Sequence, residues 1–342
     1  MALVVMKFGG TSVADWDARR HVTDRIRDEL ERGSQVVVVV SAMGRKGAPY
    51  ATDTLLSLLG EDADPAIRDL LMSCGETISA CVLAYELSRS GIPARPFTGE
   101  DAGIRTDDNF GAAQIIGMDT TGVRETLADG ILPVITGFQG RTADGRATTI
   151  GRGGSDTSAV VIGGYLQADR VDIYTDVPGI ARVDPRIVPD TEFMEVVSGE
   201  DMLRLATWGA GVIHQQAVAA GMAFQIPALR VRSTFQAGEG TIICREKGNE
   251  GFVGAALLKN LELDEQGNIQ LGERRYQTAE HGPLAIVTAL VHDLKEEKMS
   301  ALRALDNRIL VADDLLQTVV PMEAATATAK AFYDILSRSD RY

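Results

Sequence analysis

Four short runs, residues 3–6, 36–40, 132–135 and 171–174, are apolar at nearly every position. A strand with one face in water alternates apolar and polar residues, whereas a strand covered on both faces reads as an unbroken apolar run. The four runs therefore predict buried strands of a mostly parallel sheet. The stretches between and after them carry helical spacing and predict helices over 15–32, 65–90, 109–116, 123–127, 158–166 and 198–207. In the first, Val22, Ile26 and Leu30 recur every four residues among charged neighbours, which puts them on one helical face. Such alternation gives an α/β fold, a sheet sandwiched by helices. Ligands of open α/β sheets bind beyond the carboxyl ends of the strands, where the segments opening at Lys7, Ser41, Gly137 and Thr175 emerge.

Two of the connecting segments are built for anions. The first strand ends in Lys7-Phe8-Gly9-Gly10-Thr11-Ser12, a lysine, two glycines and two hydroxyls ahead of a helix. The second segment, Thr149-Ile150-Gly151-Arg152-Gly153-Gly154-Ser155-Asp156-Thr157, leads into the apolar Ala159-Val160-Val161-Ile162. Glycines let backbone N–H groups approach a polyanion, and a helix N-terminus adds a favourable dipole. Lys7 stands where a transferred phosphoryl group needs positive charge, and Arg152 carries a fork that matches a carboxylate or phosphate. Asp156 could order a donor or a magnesium ion. The plainer alternative for the second segment is a glycine-rich turn closed by a salt bridge. No G-x-x-x-x-G-K-[ST] occurs, and 151–156 does not complete G-x-G-x-x-G. Both the P-loop and the dinucleotide fingerprint are thereby excluded.

Composition limits the partners. The chain has 342 residues, 45% of them hydrophobic, enough for one large and one small domain. A net charge of -14 argues against nucleic acid, so the positive charge for an anionic substrate has to be concentrated at Lys7 and Arg152. No unbroken apolar run approaches ~18 residues and no signal peptide is visible, which predicts no membrane span and a cytoplasmic location. Cys74, Cys81 and Cys244 lack metal-ligand spacing and are expected to be buried, reduced thiols. His21 and His292 read as exposed or partly packed. The segments 236–240 and 246–250 punctuate the chain before a second domain.

Five segments, in this order and spacing, resemble aspartate kinases of the amino acid kinase family. They are Lys7 to Ser12, Val40-Ser41-Ala42-Met43-Gly44, Ser73-Cys74-Gly75-Glu76-Thr77, Gly151 to Asp156, and Asp184-Pro185-Arg186. The segment Gly47-Ala48-Pro49-Tyr50-Ala51-Thr52-Asp53 looks like the aspartokinase I type of Gram-positive bacteria. The resemblance implies the amino acid kinase fold over 1–245, ATP and L-aspartate as substrates, Mg2+ as cofactor, and a 4-phospho-L-aspartate product. By the same resemblance Lys7 contacts the transferred phosphoryl group, with Gly9, Gly10 and Ser41 along its path. Arg152 holds the α-carboxylate of aspartate, Glu76 meets its ammonium group, and Thr52 and Ser155 fix its orientation. Asp156 organises phosphates and metal, while Thr175, Asp176 and Arg186 fall at the nucleotide-site spacing. Simpler roles stand beside these. Glu76 could bond helix N–H groups, Thr52 could be a helix N-cap, and Arg186 could be a surface charge.

The departures from the family pattern lie on the nucleotide side. Gly211 stands where the family has a lysine that reaches the ATP phosphates, and Gln215 and Gln216 replace its proline and arginine. Ala181 occupies a position that often packs on adenine, and Arg182 beside it is a candidate replacement cation. Aspartate kinases generally end in a pair of ACT domains, whereas about 90 residues remain here, enough for about one. Over 251–342 the chain predicts strands at 253–261, 285–291 and 318–321 and helices at 296–305 and 323–336. Ala324, Ala327, Ala331 and Ile335 form the expected packing face of the last helix. That order fits a reduced ACT-like, regulatory or dimerising unit, and a homodimer through it is expected. The readings are an active aspartate kinase, an aspartate-binding regulatory homologue of low turnover, and a kinase for another amino acid.

Overall fold

The structure, a computed structural model, describes residues 1–245, 251–264, 268–271, 274–277, 282–306 and 308–337; the punctuating segment 246–250 lies outside them. From the N-terminus the elements are β1 (Leu3–Phe8), α1 (Trp16–Glu31), β2 (Gln35–Val40), α2 (Thr52–Leu56), α3 (Pro65–Arg89), β3 (Ala94–Phe97), β4 (Ile104–Thr106), β5 (Ile115–Met118), α4 (Thr121–Ala128) and β6 (Leu132–Thr136). Next come β7 (Gln139–Arg141), β8 (Ala147–Thr149), α5 (Gly154–Leu166), β9 (Arg170–Thr175), β10 (Val196–Ser198), α6 (Gly199–Thr207), α7 (Gln215–Ala223), β11 (Leu229–Ser233) and β12 (Thr241–Cys244). The chain continues with β13 (Phe252–Leu261), β14 (Asn268–Leu271), β15 (Arg274–Gln277), β16 (Leu284–Val291), α8 (Glu296–Leu305), β17 (Leu310–Ala312), β18 (Leu315–Pro321) and α9 (Ala325–Leu336).

These elements form two compact units, Met1–Gly179 with Gln216–Arg245, and Ile180–Gln215 with Glu246–Tyr342. In the first unit the strands run in the order β12-β11-β9-β1-β2-β6-β3. All pairs are parallel except β11 with β12. The central β1 is buried at all six positions, and β2 and β6 are equally apolar, as expected of strands covered on both faces. On one side Val4, Met6 and Phe8 pack with Val22, Ile26, Leu83 and Leu87 from α1 and α3. A second, four-stranded sheet, β5-β4-β7-β8, was not evident from the sequence because its strands are only three or four residues long.

The helix expected over 109–116 does not form. Gly111 takes φ +82°, Ala113 N–H donates to Thr149 O, and the chain proceeds directly into β5. Helix α5 begins at Gly154 rather than at residue 158, because Gly153 in the left-handed region turns the chain into it. The thiols of Cys74 and Cys81 are exposed and that of Cys244 is half-buried, contrary to the core role expected of them.

The second unit holds the antiparallel sheet β13-β16-β18-β17 with α8 and α9, an ACT-like arrangement. Val183 and Val188 share its core with Phe252, Val287, Leu302 and Phe332, which is why 180–215 packs with the C-terminal residues. The buried face of α9 is Ala325, Ala329, Phe332, Tyr333 and Leu336; of the expected face, Ala324 and Ile335 pack at its margin. His292, expected to be exposed or partly packed, is buried, with Nε2 3.0 Å from Asp201 Oδ1 and Nδ1 2.9 Å from Asp314 Oδ2.

Candidate functional site

Parallel pairing puts the ends of β1, β2, β6 and β9 side by side. Phe8 is in register with Val40 and Tyr174, and Val40 with Thr136. The segments leaving these strands therefore meet at one sheet edge, and the first turn of α5 joins them.

Lys7 lies at the penultimate position of β1 and is 7% exposed. Its Nζ stands 2.5 Å from Asp156 Oδ1 in the first turn of α5. The contact is ionic, since Asp156 Oδ1 has no partner with hydrogen-bond geometry among the described residues. A cation buried at the mouth of a strand and held by one carboxylate is positioned without being fully satisfied. The turn after it has to be glycine. A Cβ at Gly10 would lie 2.4 Å from Gly44 O and 2.8 Å from Ala42 O. Gly9 N–H donates to Tyr174 O, and Gly44 N–H to Gly10 O, tying the loops after β1, β2 and β9 together.

Ser41, at the end of β2, meets Ser155 of α5, with the two hydroxyls 2.9 Å apart. A Cβ at Gly137 would sit 2.7 Å from Ser155 Cβ, so the end of β6 also depends on glycine for this approach. Glu76 reaches the same place from the middle of α3. It is 3% exposed, its Oε1 accepts from Ala42 N–H at 3.0 Å, and its Oε2 has no partner among the described residues. Burial pushes the Glu76 carboxyl up to about 7, against the opposing pull of the Ala42 N–H and of the Lys7 charge. Glu76 therefore does not serve the helix N–H groups of a terminus. It is a buried acid presenting one free oxygen.

Thr52 is not an N-cap: Ala51 holds that position in α2, and Thr52 is the first helical residue. At Gly75, beside Glu76, a Cβ would meet Tyr50 O at 2.9 Å and Ala42 Cβ at 2.8 Å, so the segment entering α2 is packed against the Glu76 turn. Arg152 is exposed on the loop before α5, and its guanidinium makes no hydrogen bond or ion pair among the described residues. Thr175 Oγ1 donates to Asp176 Oδ1, and Asp176 Oδ2 pairs with exposed Arg45 at 2.6 Å. Arg186 belongs to the second unit, where it is 89% exposed and forks onto Asp184, 2.5 Å away. Arg182 is occupied rather than free: it donates to Phe252 O and Val253 O and pairs with Glu192. Ala181 forms an isolated bridge with Phe193. Gly211 is exposed with open space where a Cβ would stand, and Gln215 Nε2 donates to Thr207 Oγ1.

Sequence reasoning missed Asp69, which is 1% exposed on the buried face of α3. Its Oδ2 accepts from Thr149 N–H at 2.7 Å and Gly111 N–H at 2.9 Å, and its Oδ1 from Thr149 Oγ1 at 2.8 Å. It thus pins the strand that delivers the Gly151–Arg152–Gly153 turn. A signal was present, because α3 is patterned the wrong way round for a surface helix. Asp69, Ser73, Glu76 and Ser79 share its buried face, and polar groups buried together have to be satisfied or functional.

A profile of the amino acid kinase family matches residues 2–229, about two thirds of the chain. The chain belongs to that family. Among curated family members, aspartokinase 1 of Bacillus subtilis (strain 168) is 46% identical over 246 residues, covering 71% of this chain and 61% of that protein. Aspartokinase of Geobacillus stearothermophilus is 42% identical over 253 residues, 73% of this chain and 61% of its own length. The chain thus spans about three fifths of the relatives it matches. The solved structure of Escherichia coli aspartokinase III in complex with aspartate and ADP is similar in fold, with a TM-score of 0.76 and 23% identity over 98% of this chain and 100% of that one.

Proposed function

We propose that this chain is an ATP-dependent aspartate kinase, transferring a phosphoryl group to the β-carboxylate of L-aspartate and releasing 4-phospho-L-aspartate and ADP. The observation that carries the reading is Glu76, buried at the strand ends with Oε2 unpartnered, across the site from the Lys7–Asp156 pair. An ammonium group is the natural complement of a buried carboxylate with one free oxygen. The free, exposed Arg152 supplies the matching fork for an α-carboxylate. The similar Escherichia coli structure is a complex with aspartate and ADP, in keeping with the same pair of ligands.

The substrate carboxylate is already ionised at neutral pH, so the reaction needs no strong base. The protein aligns the reactants and neutralises charge. Lys7 faces the transferred group, the N–H groups around Gly9 and Gly10 line its path, and Ser41 and Ser155 hold the acceptor end. Thr52 orients the amino acid, and Thr175, Asp176 and Arg186 serve the nucleotide. A magnesium ion brought by ATP draws its oxygens mostly from phosphates and water, with only one or two protein carboxylates. Asp156 fits that demand and would hold the ion, which supplies neutralisation of phosphate charge. The catalytic domain is proposed as 1–245 and the ACT-like regulatory or dimerisation domain as 251–342, in a soluble, cytoplasmic homodimer serving amino-acid biosynthesis.

A second reading, an aspartate-binding homologue of low turnover, is favoured by Gly211, which leaves open space where the family carries a lysine, and by the engagement of Arg182 elsewhere. Aspartate-dependent ADP release with magnesium-ATP, with the acyl phosphate trapped by hydroxylamine, separates the two. Robust hydroxamate formation supports the kinase. Aspartate binding without hydroxamate refutes it, and a gain of turnover in Gly211→Lys would then identify the missing cation.

A further inference from the structure

The glycine turn after β1 is enclosed by a ring of contacts. Gly9 N–H donates to Tyr174 O on one side, and Gly44 N–H donates to Gly10 O on the other. Arg45 stands one residue beyond Gly44 and Asp176 two beyond Tyr174. Their side chains close the ring, with Arg45 Nη2 2.6 Å from Asp176 Oδ2. Strand β1 lies between β9 and β2. Neighbouring strands are about 4.8 Å apart, so the ion pair spans roughly 10 Å across the end of β1. Lys7 serves the same turn from the buried side, its Nζ 3.7 Å from where a Cβ of Gly9 would stand.

Two observations separate Arg45 from an ordinary surface cation. Its backbone is fixed, because its C=O accepts from Ala48 N–H in a tight turn and Gly44 before it is tied to Gly10. Its side chain is 70% exposed and bonds Asp176 through Nη2 alone among the described residues, so Nε and Nη1 keep their donors for a ligand. An exposed pair of this kind contributes about 0–1 kcal/mol to stability. That is too little to account for an arginine held across a turn built for an anion, in a chain of net charge -14.

We propose that Arg45 is a catalytic residue that grips the terminal phosphates of ATP from the solvent side of the glycine turn, while Lys7 meets them from the buried side. The inference rests on the kinase reading. As an oxygen of the substrate β-carboxylate bonds to the γ-phosphorus, the bond from that phosphorus to the bridging oxygen breaks, and its electron pair leaves with ADP. The Arg45 guanidinium neutralises charge on those phosphate oxygens, its planar fork reaching two of them. Asp176 aims the fork before the nucleotide arrives.

Calorimetry with the magnesium complexes of adenylyl imidodiphosphate and ADP, run beside the hydroxamate assay, tests this. Arg45→Ala should bind the triphosphate analogue about tenfold more weakly, the scale of one lost charge-assisted hydrogen bond, with ADP affinity nearly unchanged. Its kcat should fall ~10²-fold while the aspartate KM stays within a few-fold. Arg45→Lys should be intermediate, since it keeps the charge and loses the fork. The melting temperature of Arg45→Ala should match the wild type, because the pair is exposed. Equal weakening of analogue and ADP, full turnover in Arg45→Ala, or a lowered melting temperature with loss of aspartate binding would each overturn the proposal. A wild type that forms no hydroxamate refutes the kinase reading instead. The loss of preference for the analogue over ADP then still decides for Arg45, and a wild type that binds neither nucleotide overturns both.

Discussion

On the proposed reading, the state of Glu76 would make aspartate binding a proton-linked event, and the linkage has a defined sign. An ordinary glutamate ionises near 4.5, whereas burial holds Glu76 protonated up to about 7. In the free protein the neutral acid is therefore the favoured form, and charging it costs roughly 3 kcal/mol relative to water, at 1.36 kcal/mol per tenfold. An ammonium group binds the carboxylate, not the acid, so binding near neutral pH has to expel the proton. At pH 8 about nine tenths of the sites are ionised and at pH 6 about one tenth, for a pKa near 7. Apparent aspartate affinity should therefore fall about tenfold from pH 8 to pH 6. Titration calorimetry in two buffers of different ionisation enthalpy should report close to one proton released per aspartate at pH 6 and almost none at pH 8. Glu76→Gln should bind weakly and without pH dependence over this range. Wild-type affinity that is flat from pH 6 to 8, or binding without proton release at pH 6, would refute the reasoning. Stability runs the other way. The unfolded carboxyl gives up its proton near 4.5 and the folded one near 7, so the ligand-free protein loses stability as pH rises through that interval, and Glu76→Gln should suppress the loss.

Three further outcomes are expected. Lys7→Ala should lower turnover by ~10²-fold or more, the scale of removing one positioned electrostatic group, while aspartate binding by calorimetry stays within a few-fold; loss of both together would make Lys7 structural. Asp69→Ala should raise the aspartate KM more than it lowers kcat, because the loosened Thr149 strand carries the Arg152 turn, with Asp69→Asn intermediate; equal loss in kcat alone would place its effect elsewhere. Burial pulls His292 toward its neutral form, but the carboxylates of Asp201 and Asp314 outweigh burial and raise its pKa above the usual histidine value. Their stabilisation is present below pH 6.5 and is lost as pH rises through the raised value. The drop in melting temperature over that range should vanish in His292→Gln, and an unchanged pH profile would exclude the linkage.

The sequence alone determined the sheet and the two glycine loops at its strand ends. Runs such as 36–40 are apolar on both faces and suit only a covered strand, and a lysine near the end of an otherwise apolar strand serves no packing purpose. It also carried the order β16, α8, β18, α9, because each is a long, strongly patterned element. Tertiary structure decided what local pattern could not. Whether residues 109–116 form helix or strand was settled by Asp69 and Thr149, which are distant in sequence and bond that segment's N–H groups. His292 reads in the sequence as exposed or partly packed, and only the fold encloses it between Asp201 and Asp314. Glu76 shows nothing of its protonation in the sequence, since its pKa is set by burial on the packed face of α3, opposed by the Ala42 N–H and by the Lys7 charge. The inverted patterning of α3 was legible as letters, but only the packed sheet revealed which face was covered. A side chain's environment is made by groups far along the chain, and that is where periodicity stops and packing begins.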